Sequence, residues 1–379
     1  MKHRLILIVV ALLLTSALPA FADDRITYVS QAEAVTIFLN DIAFVHDSFS
    51  LAGGSDLDIV LPEQIYPDTL ILSENGVRVP SYTLSRATGA LTLKLGGSDS
   101  SELRAITLEY LIYGLSWKPN YDMAIPEEGS EQVHFSFYSE ISNSIFPLDD
   151  VDVTLAAGRV DIAQPVTTGA SQSANQYIAG YDDTGASQGV LSAGAVTIQY
   201  QYPLGKLTVA PGDTLYKQVL ETDFAARRIL LWNANSDQQV SVIYKVNNDS
   251  TIALSEGIVR SYQDGLFIGS DSMEFTPIGS EGSVTVGQLQ DVRVNRAESS
   301  TYQDNTFSNR DYLHEITLTM SNFGPDEIQI EVVDRYPADA IEFNFSAEPQ
   351  RDAGNLLRWS VTIPAGETVT ITYNFQGTN

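Results

Sequence analysis

Gly185-Ala186-Ser187-Gln188-Gly189 spells G-x-S-x-G, the pattern by which serine hydrolases strain and expose a nucleophile on a strand-to-helix turn. A base would have to come from His46, His134 or His314, the histidines beyond the first few residues. Ser187 lies in a stretch rich in Gln, Ser, Ala, Gly and Thr, with neither a strand nor a helix signal beside it, so it is not read as a nucleophile. The three histidines have no H-E-x-x-H or paired spacing and read as hydrogen-bonded strand residues, not zinc ligands. Asp149, Asp150 and Asp152 offer oxygens of the kind calcium takes. No D-x-[DN]-x-[DN]-G loop accompanies them, and a solvated strand face looks the same. Trp117, Trp232 and Trp359, with the 18 tyrosines, hold the aromatic surface a sugar platform needs, but each Trp sits in an alternating pattern that points to a core anchor. No catalytic, cofactor-binding or metal-binding residue is therefore assigned, no cofactor is expected, and the chain is read as a non-enzyme.

The elements that would position any such group are strands. Ile316, Leu318 and Met320 alternate with threonines. Ile328, Ile330 and Val332 alternate with Gln329 and Glu331, and Val369, Ile371, Tyr373 and Phe375 form a third such run. Side chains two apart share one face of a strand, so each segment is half buried. Asn75-Gly76, Asp264-Gly265 and Gly324-Pro325 mark turns. Only residues 223–231 are ambiguous between helix and strand. Two echoes run through the chain. Pro211-Gly212-Asp213 and Pro364-Ala365-Gly366-Glu367 each join two alternating runs, and a strand ends in asparagine around Asn143, Asn247-Asn248 and Asn322. The fold class predicted is all-β: antiparallel β-sandwich, immunoglobulin-like units, with a small N-terminal β domain (23–100) before a larger β-sandwich assembly (101–379). Residues 161–195 carry no Lys or Arg and few aromatics, and predict a mobile low-complexity insert.

Residues 1–22 read as a secretory signal peptide. Lys2 and Arg4 precede an apolar run over 5–14, and Ala20-Phe21-Ala22 supplies small residues for cleavage before Asp23. The run is too short to span a bilayer, so the expectation is an exported chain, periplasmic or secreted, with no membrane anchor. With no cysteine, burial and hydrogen bonds must hold the fold without disulfides. A net charge of −27 disfavours nucleic acid and anionic lipid as partners.

The densest block, 106–159, runs from Ile106, Leu108 and Tyr110 to Ser116-Trp117-Lys118-Pro119-Asn120-Tyr121-Asp122. A strand to Ser142, an Asn143 link and a run ending at Gly158-Arg159 follow. This order resembles the conserved domain family of unknown function that forms the C-terminal half of mucoidy-inhibitor (MuiA-like) proteins. Leu254-Ser255-Glu256-Gly257-Ile258-Val259 and Asp334-Arg335-Tyr336-Pro337 continue the resemblance, and residues 23–98 are fainter kin of the small β domain that usually precedes it. The chain lacks the coiled coil of larger members, and has Asp150-Val151 where an acid followed by Trp is common. The resemblance implies no catalytic residues. It fits a structural or protein-interaction role whose partner is an envelope or extracellular protein. The alternatives are a cell-surface glycan-binding module, with or without a cation, that takes polysaccharide, and a hydrolase of unknown class.

Overall fold

The computed structural model describes residues 25–52, 54–86, 90–97, 102–126, 131–160, 200–303 and 312–378. The expected signal peptide (1–22), the insert (161–195) and Ser187 lie outside these. Among the described residues the chain forms 25 strands, one 3-10 turn at Pro67–Thr69 and no α-helix, an all-β assembly of open sheets. The alternating runs are strands Tyr312–Asn322, Ile328–Arg335 and Thr368–Gly377, with Ile316, Leu318, Met320, Ile330, Val332, Ile371, Tyr373 and Phe375 buried.

Pairing is mostly antiparallel, in keeping with the expected fold class, and parallel ladders also occur. Arg25–Val29 pairs with Asp56–Leu61, Leu115–Ile125 with Gly257–Gln263, and Thr214–Asn233 with Ile328–Arg335. A parallel neighbour needs a long crossover instead of a tight turn, so local turn signals do not announce it.

Two compact units are formed. The first comprises the described residues through Val35 together with Phe44–Tyr113, and the second comprises Thr36–Ala43 and Gly114–Asn379. In the first, Asp56–Leu61 and Leu91–Leu95 contribute the buried Leu57, Ile59 and Leu93, while Leu103–Tyr113 contributes Leu108 and Tyr110. The Asn75-Gly76 turn has positive φ at both residues (50° and 76°), the two-residue hairpin conformation that suits strand twist.

The second unit is organised by a corner that occurs three times among the described residues. Asn143, Asn248 and Asn322 are buried at strand ends. Each carboxamide donates to the carbonyl of the residue just before a tight turn: Val209 at 2.8 Å, Thr276 at 3.0 Å and Ile363 at 3.2 Å. The turns close by hydrogen bonds from Asp213 to Ala210, Ser280 to Pro277 and Glu367 to Pro364. Their third residues, Gly212, Gly279 and Gly366, have φ of 90°, 75° and 71°, which a side chain would strain. Each side-chain oxygen accepts from the N–H two residues on, at Ile145, Ser250 and Gly324. The registers agree as well: Ser142 faces Thr214, Asn247 faces Glu281 and Ser321 faces Thr368. The middle turn, Pro277-Ile278-Gly279-Ser280, escapes a reading tuned to an acid after glycine.

Thr214–Asn233 is a 20-residue strand that changes antiparallel partners along its length, besides its short parallel ladder with Ile328–Arg335. Residues 214–225 pair with Gln132–Asn143, and residues 226–231 pair with Ser241–Asn247. The ambiguous stretch 223–231 is the interior of this strand.

Candidate binding groove

The three histidines each have their own neighbours. His46 Nδ1 lies 3.4 Å from Glu109. The exposed His134 has Nδ1 2.8 Å from Asp223 and Nε2 3.3 Å from Glu221, and the hydrogen bond to Asp223 leads in holding its pKa above the usual histidine value. His314 is buried, with Glu298 and Ser300 at Nδ1 and the Thr378 carbonyl at Nε2, each at 3.0 Å. Among the described residues no three metal-ligating side chains are grouped. The carboxylate of Asp150 is engaged by Lys206 at 2.6 Å and that of Asp149 lies 3.5 Å from the Thr208 hydroxyl. Trp117, Trp232 and Trp359 are buried, with indole N–H groups donating to the carbonyls of Ala156, Asp237 and Ala347. An aromatic ring held in a core offers no face to a sugar.

Among the described residues two carboxylates are buried, each hydrogen-bonded inside the fold. Asp47 accepts from the Tyr28 hydroxyl (2.9 Å), the Ser30 hydroxyl (2.6 Å) and the Gln31 N–H (3.0 Å); burial raises its pKa against the pull of those bonds. Asp334 accepts from Tyr373 (2.7 Å) and from Arg296, and burial again raises its pKa. Such buried hydrogen-bonded clusters tie strands together.

A groove lies in the second unit, where the long strand changes partners. It encloses about 1070 Å³, and its lining includes the aliphatic Ile125, Val242, Ile268 and Val286 beside the cationic Arg227, Arg228 and Lys245. Strand alternation sorts the cations. Arg227 faces Lys245 across the ladder, and both approach Glu281 at 3.8 Å. Arg228 falls on the other parity, opposite Tyr244. The remaining acid in the lining is Glu131. Sequence reading missed Arg228 and Tyr244. The signal available was the parity of Phe224, Ala226, Leu230 and Trp232, which makes position 228 a core-facing one.

Ile268 belongs to the edge strand Leu266–Met273, whose first residues Leu266, Phe267 and Ile268 are all exposed. Contiguous exposed apolar side chains on a sheet edge mark a surface suited to a protein partner. Among the described residues no helix is long and apolar enough to cross a membrane.

A family model described as a domain of unknown function (DUF4139) matches residues 106–378. Comparison with curated proteins gives no match.

Proposed function

Because the chain belongs to the DUF4139 family, a domain of unknown function, we propose from its architecture that it is an exported, non-catalytic interaction protein that holds an envelope or extracellular protein in the groove beside Arg228. The observation that carries this reading is the groove itself. Aliphatic walls and cationic side chains are presented by strands, not by loops, next to an exposed apolar edge. Rigid elements hold a binding surface in place without further ordering cost.

The non-catalytic part is supported by where the titratable groups go: Asp47, Asp334 and His314 are spent on internal hydrogen bonds. Export is supported by the leader pattern of residues 1–22, and the likeness to mucoidy-inhibitor proteins supports an envelope setting.

Fractionation of the native host with size analysis of the envelope and medium fractions tests this. The expected result is a chain beginning at Asp23 that elutes in a complex larger than its own mass. The complex is lost when Arg227, Arg228 and Lys245 are all changed to Gln, and kept when Lys94 and Lys118 are. A cytoplasmic chain, or a complex indifferent to the groove substitutions, overturns it.

A further inference from the structure

Arg228 stands at a position the fold reserves for core side chains. On its strand Phe224, Ala226, Leu230 and Trp232 share its parity and are all buried, and across the ladder Val242, Tyr244 and Val246 do the same. Arg228 alone in this set is exposed, because it opens into the groove. Among the described residues it has no hydrogen bond and no ion pair, in a chain with 48 acids against 21 bases. The other two groove cations already have Glu281.

Tyr244 is a second, independent sign. It is 9% exposed, lines the groove, and among the described residues its hydroxyl has no hydrogen-bond partner. Burial raises its pKa, opposed by the nearby Arg228 charge, so it presents an O–H to donate. A guanidinium and a phenol opposite each other on the ladder, neither with a protein hydrogen-bond partner among the described residues, constitute a fork of donors whose matching ligand is a carboxylate.

We propose that Arg228 and Tyr244 form a carboxylate pocket that anchors an acidic, extended peptide segment of the partner. The aliphatic Ile125, Val242 and Val286 beside the pocket select a carboxylate flanked by apolar groups. A peptide carries such flanks and a polyuronate does not. This inference rests on the groove being the partner site.

Selection of a phage-displayed random peptide library on the full chain tests the pocket, with polygalacturonate as a separate arm. Enriched peptides are expected to carry Asp, Glu or a free C-terminus next to aliphatic residues. They should lose at least tenfold in affinity with Arg228→Gln and several-fold with Tyr244→Phe. Both variants should keep the parent's thermal midpoint within a few degrees, since neither residue has an internal partner to lose. An enriched set without acidic bias, binding to Arg228→Gln at parental strength, or no enrichment overturns the proposal. So does polygalacturonate binding that requires Arg228. Loss of the native complex in the triple variant but not in Arg228→Gln alone would remove this anchor and leave the groove reading standing.

Discussion

The N–H of Gly212 donates to the carbonyl of Asn143 at 2.7 Å, while the Asn143 N–H donates back to Asp213, one residue beyond that glycine, at 3.0 Å. The same exchange ties Asn248 to Gly279 (2.7 Å) and Ser280 (2.9 Å). A strand end and a turn far away in sequence are thereby fixed as one corner, and its recurrence gives the second unit a serial construction.

The corner asparagines should be costly to remove. In Asn143→Ala the carbonyls of Val209 and Phe146 lose their donor in a buried site. A loss of about 2–3 kcal/mol is expected. Asn322→Ala should cost a similar amount. Urea denaturation, read as a lower midpoint at unchanged slope, measures it.

Two glycines should separate backbone strain from crowding. Gly366 has φ +71° and open space where a Cβ would go, so Gly366→Ala should cost about 1 kcal/mol. Gly257 has an ordinary φ, but its Cβ would meet the Pro119 carbonyl oxygen at 2.7 Å and the Tyr121 ring at 2.9 Å. Gly257→Ala should cost about 2–3 kcal/mol through overpacking. Equal losses in the two variants would contradict this account.

His134 should titrate above the ordinary histidine range. Its Nδ1 contact with Asp223 is shorter than its Nε2 contact with Glu221, and is the larger cause of the shift. An NMR titration should therefore show a greater fall in pKa for Asp223→Asn than for Glu221→Gln. Since the folded value is raised, the imidazolium's contribution to stability is complete below the unfolded value and disappears as pH climbs through the folded one.

Asp47 should act in the opposite sense from a surface carboxylate. Burial lifts its pKa above the ordinary 3.8, so the folded state holds the proton more tightly than the unfolded state. Stability attributable to Asp47 should fall as pH rises from 3.8 through the raised value, then level off. Comparison with Asp47→Asn across acidic pH isolates this effect; a parent that gains stability relative to the variant as pH rises in that window contradicts it.

Much of the fold was legible because half-buried strands write their exposure into the sequence. Ile316, Leu318 and Met320 are buried, and the threonines between them are less so. The corners were visible only in part. Asn143, Asn248 and Asn322 stood out, but the turns they grip lie 28 to 66 residues away, and no local pattern encodes that pairing. The groove was hidden by residues 223–231, where Ala225-Ala226-Arg227-Arg228 suits a helix as well as a strand. Read as a strand, this stretch puts Arg228 on the core-facing side by its parity, and the ladder with Ser241–Asn247 sets it opposite Tyr244.

Site-specific photo-crosslinking in the native host tests most directly whether the groove holds a partner. A photoreactive residue in place of Ile268 or Gln263, both in the groove lining, should give a discrete adduct. The same residue in place of the exposed Lys118 should not. The adduct should fade when Arg228→Gln is combined with either groove probe. Adducts from Lys118 as strong as those from Ile268, or none from the groove at all, would contradict the account.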